Sequence, residues 1–329
     1  MKQYLGLINE ILEFGVVETN RTGVDAKAIF GYQYRCRDVA EQFPLLTTKD
    51  VNFRSVAIEL LWKLSGSTNI KPLVDQGVGI WNEWPFQNWL EKTGKALEYP
   101  KYSPAWKDEK KLFARLIKAN DNFATLWGDL GPTYGHHMRH FGQVIFKDLP
   151  KNLQEDVIAL HGNINPYETY IVGIDQISKI IETIKTNPDD RRMIMTLWNP
   201  HDNSKTLLPP CPCFYQFRVL GGKLHLQMYQ RSCDTFLGVP FNTAQDSLLL
   251  LLVAQACGLP AGDFIHTFGD VHIYINHMEQ VKEQITREPR PLPKVILNPE
   301  IKNIFDFTLQ DITLTGYDPH PALKGDVAV

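Results

Sequence analysis

No stretch of this 329-residue chain is long and apolar enough to span a bilayer. Its longest unbroken apolar run, Leu248 to Ala254, is far short of the roughly 20 residues a membrane helix needs. Cysteine is scarce: Cys36, Cys211, Cys213, Cys233 and Cys257 are five and scattered. That excludes a disulfide scaffold, and an odd count fits a reducing compartment. Excess positive charge is lacking too. With a formal net charge of -3 there is no general basic field, which disfavours bulk nucleic-acid binding. An anionic ligand would have to be held by a local cluster of arginines. Internal repeats and low-complexity linkers are absent. The opening MKQYLGLINEILEFG carries Glu10 and Glu13 and reads as an amphipathic helix rather than a signal peptide. The expectation is a cytoplasmic protein with no nucleic-acid or membrane partner.

Apolar residues make up 43% and charged residues 22%, enough to bury a large core. Residues 1–84 read as a helix, a hairpin-like stretch around KAIFGYQYRCR, and a helix from Phe53 to Leu64. Residues 85–127, rich in Lys, Trp and Tyr, look like a helical insertion, and 141–173 form a second, irregular one. A helix (IDQISKIIETIKT) runs to Asn187-Pro188, and a strand (RRMIMTLWNP) follows. FYQFRVL and KLHLQMYQR alternate across Gly221-Gly222, a hairpin signal. A two-residue loop there sets Cys211 opposite Ser232, with Arg231 one residue away, and a bulge would shift that register. The helix FNTAQDSLLLLLVAQAC ends at Gly258, a good C-cap residue.

Several residues have chemical potential, each with a plainer reading beside it. Cys211 follows Pro209-Pro210, which impose an extended approach. With Arg231 nearby it reads as a thiolate nucleophile or as a buried structural cysteine. Arg21, Arg191, Arg192 and Arg231 sit beside turn residues and suit a phosphate, or they form surface ion pairs. His272 and Tyr274 alternate along GDVHIYINH and suit a sugar hydroxyl, or belong to the core. Trp81 and Trp84 suit a flat ring, or pack internally. C-x-C at Cys211 and Cys213, with no further Cys/His pair, is a poor metal signal.

The segment PPCPCFYQFRVLGGKLHLQMYQRSCDTFLGVPFN resembles the active-site region of the thymidylate synthase family. NRTG, FPLLTTK, ELLW, IWNEW, GDLGPTYG, PDDRR, GDVHIYINH, REPRPLPK and YDPHPALKGDVAV follow in the family's order along almost the whole chain. The resemblance implies an α+β fold. Its large mixed β-sheet would be packed by helices, and one sheet face would form a homodimer interface. Residues 1–329 would be a single catalytic domain. It further implies one-carbon transfer from 5,10-methylenetetrahydrofolate, without a metal, to carbon 5 of dUMP or a related pyrimidine nucleoside monophosphate. Cys211 would add to carbon 6 of the ring. Glu59 would relay protons through water, with Tyr134 near the carbon-5 proton. Arg21, Gln230, Arg231 and Ser232 would hold the nucleotide, joined by Arg191 and Arg192 from a second subunit. His272 and Tyr274 would bind the sugar, and Asn242 would read the base. Asp234 would bind the pterin, against Ile80, Trp81, Trp84, Leu237, Gly238 and Phe241. Lys49 would meet the glutamyl tail. Ala328 and Val329, at the C-terminus, would help close the site.

Four positions depart from the family pattern. Pro212 stands where a histidine usually follows the nucleophile, Gln245-Asp246 where a small residue and Tyr are usual, and Met138 where Trp is usual. Viral cytidylate hydroxymethylases of this family also lack the histidine but replace the base-reading Asn, which is kept here as Asn242. The first expectation is therefore hydroxymethylation of dUMP to 5-hydroxymethyl-dUMP. The alternative is reductive methylation of dUMP to dTMP, and a further one is a CMP or dCMP hydroxymethylase. A nucleotide- or folate-binding paralogue is disfavoured because Cys211 and Glu59 both remain. Asp246 lies one helical turn after Asn242. If it held the Asn242 amide the site would suit cytosine, and if it points away uracil is read.

Overall fold

The computed structural model describes residues 1–20, 22–146 and 170–327. Arg21, most of the second insertion, Ala328 and Val329 lie outside the described residues. In chain order the strands are β1 (Val16–Glu18), β2 (Ala26–Cys36), β3 (Phe141–Phe146), β4 (Tyr170–Ile174), β5 (Ile194–Thr196), β6 (Pro212–Leu220), β7 (Lys223–Asp234), β8 (Ala261–Tyr274), β9 (Lys294–Leu297) and β10 (Ile312–Thr315). Six of them form one sheet in the order β1-β2-β8-β7-β6-β5. β7 and β8 run parallel and the other neighbours antiparallel. The mixed sheet and its α+β class are as expected.

The β6–β7 hairpin turns where the sequence places it. Gly221 and Gly222 both take positive φ, 59° and 74°, which two consecutive residues of a tight hairpin require and glycine adopts without strain. From Leu220↔Lys223 back to Phe214↔Tyr229 the pairs follow the two-residue-loop register. Then an extra residue, Cys213, intrudes, and Pro212 pairs with Gln230. This bulge corrects the expected Cys211–Ser232 pairing. The Arg231 amide instead donates to the Cys211 carbonyl at 2.9 Å, so the bulge carries arginine, rather than serine, to the nucleophile's position.

One face of the sheet carries the helix Gly238–Ala256, which packs on β7 and β8. Leu248 to Val253 are all buried. At roughly 1.5–3 kcal/mol per fully buried leucine, this run anchors the domain core. Earlier in the helix Thr243, Gln245, Asp246 and Ser247 are buried as well. The Phe53–Leu64 helix packs beside it, with Asn52 capping its N-terminus through the Ser55 amide. Helices Glu83–Lys92, Pro104–Ala119 and Asp121–Trp127 occupy the first insertion. Their Phe86, Trp89, Trp106 and Phe113 form an aromatic cluster. On the face away from the central helix, Phe214, Tyr229, Thr267 and Gln33 lie in register across four strands. Phe214 and Tyr229 are solvent-exposed there.

Candidate active site

Cys211 stands at the entry to β6, where the chain leaves Pro209-Pro210. Two groups hold it. The Arg231 guanidinium donates from Nε to the Pro210 carbonyl and from Nη2 to the Pro209 carbonyl, both at 2.8 Å. Nη2 also lies 3.8 Å from Cys211 Sγ. The Cys211 amide donates to Tyr134 Oη at 3.2 Å. One planar fork therefore ties down both prolines and sets a positive charge beside the sulfur, where it favours the nucleophilic thiolate. Tyr134 is itself buried with φ 40°, a backbone conformation that costs a non-glycine residue energy and recurs at functional sites. Gly135 lets this turn press onto the Phe53–Leu64 helix, since a Cβ there would lie 2.6 Å from the Lys63 carbonyl. Burial pushes the other thiols up, Cys36 to about 12 and Cys257 to about 11. Cys213 and Cys233 are raised by the same cause.

Two lobes of one cleft meet at Cys211, Ser232, His272 and Tyr274. The polar lobe, about 670 Å³, is lined by Asn20, Thr22, Arg231 and Asp270. It suits an anion and a sugar. His272 Nδ1 lies 2.6 Å from Asp270 Oδ1, which fixes its ring. The second lobe, about 490 Å³, is walled by Ile80, Trp81, Trp84, Leu237, Gly238 and Phe241. It suits a flat heteroaromatic ring. Trp84 Nε1 has no hydrogen-bond partner among the described residues, so a donor waits there for an acceptor. Asp234 lines this lobe and accepts the amides of Phe236 and Leu237 through Oδ1. Val327 reaches it from the C-terminal segment. Among the described residues no group of three His, Cys, Asp or Glu is placed to hold a metal.

Not every expected residue comes here. Arg191 and Arg192, expected from a second subunit, line neither lobe of their own chain. Arg192 is exposed and bonded to Asp190 at 3.0 Å. Lys49 turns inward. Its ammonium donates to the Phe236 carbonyl and lies 3.6 Å from the centre of that ring, and burial lowers its pKa to about 8. Arg21 and Ala328 lie outside the described residues, although Asn20 and Thr22 on either side of Arg21 line the polar lobe.

The orientation of Asn242 follows from a chain of directed hydrogen bonds. Gln230 Nε2 lies 3.2 Å from the Ser232 carbonyl, which can only accept, so this amide nitrogen is identified. The same nitrogen donates to Asn242 Oδ1 at 3.0 Å. Gln230 Oε1 then faces His266 Nε2 at 2.9 Å. Burial holds His266 well below its ordinary pKa, hence neutral. It is the Nε2–H tautomer, and its Nδ1 accepts from Thr243 Oγ1 at 3.1 Å. Thr243 in turn accepts from Tyr34 at 2.6 Å. The amide of Asn242 therefore offers the cleft an N–H donor and the second lone pair of its oxygen. Asp246 takes no part. Its Oδ1 accepts from Tyr215 at 3.3 Å, so it points away from Asn242. Gln230 was expected to touch the nucleotide; His266, Thr243 and Tyr34 behind it gave no sequence signal beyond being polar residues on apolar elements.

Glu59 enters the cleft from the Phe53–Leu64 helix with both oxygens engaged. Oε1 accepts from Trp81 Nε1 at 2.8 Å and lies 3.1 Å from Lys63 Nζ. Oε2 accepts from Gln245 Nε2 at 2.6 Å. Gln245 Oε1 also accepts from Lys63 at 2.6 Å, closing a buried triangle. Sequence reasoning missed Lys63, whose spacing four residues after Glu59 looks like a surface helix pair. Asp246 lies next to this triangle. Burial, with Glu59 adding to it, raises its carboxyl to about 7 against the opposing pull of Lys63. An acid whose folded pKa exceeds its unfolded one makes the fold lose stability as pH rises between the two. From about pH 4 to about pH 8, Asp246→Asn should therefore gain roughly 2–4 kcal/mol of stability relative to the parent. Urea unfolding across that range checks it, and a pH-independent difference would place the carboxyl in water.

The thymidylate synthase family model matches residues 2–329. Proteins named thymidylate synthase are similar along their whole lengths and along the whole of this chain. That of Mycoplasma pneumoniae is 44% identical, that of Mycoplasma mobile 46% and that of Malacoplasma penetrans 45%.

Proposed function

The chain belongs to the thymidylate synthase family, and from that premise we propose that it methylates dUMP reductively to dTMP. The full-length relatives' names support this over the hydroxymethylation expected from Pro212, which is accordingly set aside. The absence of a histidine at 212 was its basis, yet the reaction centre keeps a dense polar surround in Glu59, Lys63 and Gln245. The orientation of Asn242 carries the choice of base. Its N–H donor meets the 4-keto oxygen of uracil, and its oxygen meets the ring N–H. Cytosine presents the opposite pattern, and an unmatched buried group costs ~1–3 kcal/mol.

In this reading the polar lobe holds the phosphate and sugar through Arg231, Ser232, His272 and Tyr274. Arg21 would join them, as the resemblance implies. Cys211 Sγ adds to ring carbon 6, and the electrons of the carbon 5–carbon 6 bond move toward the 4-keto oxygen, where Asn242 donates. Carbon 5 thereby becomes nucleophilic. Glu59 passes protons to and from this oxygen through water. Carbon 5 bonds to the methylene of the co-substrate, and its proton leaves to a water beside Tyr134 as the folate's carbon–nitrogen bond breaks. Expulsion of the Cys211 thiolate ends the cycle. The co-substrate 5,10-methylenetetrahydrofolate supplies the methylene and the hydride, and leaves as dihydrofolate. Trp81, Trp84 and Phe241 would pack on its ring, with Asp234 and the unpartnered Trp84 Nε1 as polar anchors.

The protein is further read as a homodimer joined through the sheet face bearing Phe214 and Tyr229. A second copy would bring its Arg191 and Arg192 to the phosphate. Incubation with dUMP and methylenetetrahydrofolate should yield dTMP with an absorbance rise from dihydrofolate. A 5-hydroxymethyl product with tetrahydrofolate would restore the earlier expectation, and no reaction would favour a binding paralogue.

A further inference from the structure

Lys63, Glu59, Gln245 and Asp246 are each no more than 3 % exposed, on two helices that pack together. Burying an ion pair seldom stabilises a fold more than packed hydrocarbon does. This one lines the cleft, so stability alone does not account for it. Two contacts tie it to the chemistry. Lys63 bonds to Glu59 at 3.1 Å, and its ammonium also lies 4.7 Å from the centre of the Tyr134 ring. Tyr134 in turn holds the Cys211 amide. Lys63 thus touches the neighbours of the reaction on both sides, and it lines the cleft with them. Pro212, next to the nucleophile, has no side-chain hydrogen bond to contribute.

We propose that Lys63, bridged by Gln245 and backed by Asp246, is a positioning residue that aims Glu59 for proton transfer and replaces the polar support missing at position 212. This rests on the reading of Glu59 as the proton-relaying group. Gln245 Nε2 and Trp81 Nε1 each take a different Glu59 oxygen, so only a rotation that breaks both bonds can misaim it. Lys63 locks Gln245 in the sense that presents its N–H to Glu59, because an ammonium has no acceptor to offer the alternative. Asp246 faces Lys63 and Glu59 from across the helix pair and Tyr215 from β6. Its Oδ2 has no partner among the described residues. A carboxyl so placed can change the charge around the triangle near neutral pH.

The test is Lys63→Met, with Lys63→Arg as the conservative partner. Lys63→Met should lower kcat roughly 10- to 100-fold, as misplacement of a reacting group does, and leave KM for dUMP within a few-fold. Lys63→Arg should recover part of the loss. The Trp81 indole N–H, observed by nuclear magnetic resonance, reads Glu59 without any turnover. Its resonance should move in Lys63→Met. In the parent it should titrate with a midpoint near 7, and in Asp246→Asn it should not. If Lys63→Met does not fold, Gln245→Leu should give the same fall in kcat and the same displaced resonance. Wild-type turnover with an unmoved Trp81 resonance in the folded variant sinks the proposal. A parent that makes no dTMP overturns the functional reading instead, while the resonance still decides the positioning role.

Discussion

Cys211→Ser should lose at least about 10⁴-fold in kcat while binding dUMP within a few-fold of the parent. The separation follows from geometry. Arg231, Ser232 and His272, which would hold the nucleotide in the proposed reading, line the polar lobe at positions that the substitution does not change, whereas a serine hydroxyl beside a guanidinium remains a poor nucleophile at neutral pH. No other thiol can substitute. Cys213 points its sulfur toward the Tyr229 carbonyl at 3.6 Å, Cys233 is sealed in the core, and burial raises the pKa of both. Turnover assays with calorimetric titration of dUMP measure the two quantities. In the parent, 5-fluoro-dUMP with methylenetetrahydrofolate should leave a covalent adduct on the peptide containing Cys211. An adduct at Cys213 or Cys233 would mean that the wrong sulfur has been chosen.

Arg231→Ala should reduce kcat/KM for dUMP by roughly 10³-fold, about 4 kcal/mol at 1.4 kcal/mol per decade. The residue does three jobs at once. It bonds to two backbone carbonyls of the Pro209-Pro210 turn at 2.8 Å, it faces the sulfur at 3.8 Å, and it lines the anion lobe. Each hydrogen bond from a charged donor is worth ~1.5–3 kcal/mol, so loss of the pair alone is enough to reach the expected effect. Arg231→Lys should recover only part, since a single ammonium cannot span both carbonyls with the planar fork's geometry. Steady-state kinetics on both variants measures this. A loss below tenfold in Arg231→Ala would show that the turn is held by other contacts and that the guanidinium is not its clamp.

The same neighbourhood shows what sequence could and could not reveal. Alternation across Gly221-Gly222 was enough to place the hairpin and its register from Phe214 to Leu220, because side-chain period and turn chemistry are local. The bulge at Cys213 leaves no such mark, so Arg231 was expected one residue away from where it sits. The β2–β8 pairing was illegible for another reason. Its partners, such as Gln33 and Thr267, are 234 residues apart, and no short-range pattern encodes that separation. In the site, Cys211, Tyr134, Asn242, His272 and Asp234 were identified by resemblance, and all line one cleft. Lys63 was not, since the spacing of Glu59 and Lys63 means a solvated ion pair on most helices. Only depth changes its meaning, and depth is a tertiary property. Lys49 shows the converse. The resemblance gave it to the glutamyl tail, but its ammonium is spent on the Phe236 carbonyl and ring.

The place of β8 between β2 and β7 also governs how the molecule can be made. A ribosome that has not yet released Ala261–Tyr274 displays two disconnected pieces of sheet, β1–β2 and β5–β6–β7. The strand that joins them emerges after the central helix. Each piece meanwhile offers an unpaired edge, and such edges recruit other chains as readily as their proper neighbour. Nascent molecules crowded on one message are therefore most exposed to mispairing during this interval. A partial messenger ending ahead of β8 would encode Cys211 and Arg231 on one piece and Asn20 and Thr22 beside the other, but neither the strand that joins them nor His272 and Tyr274.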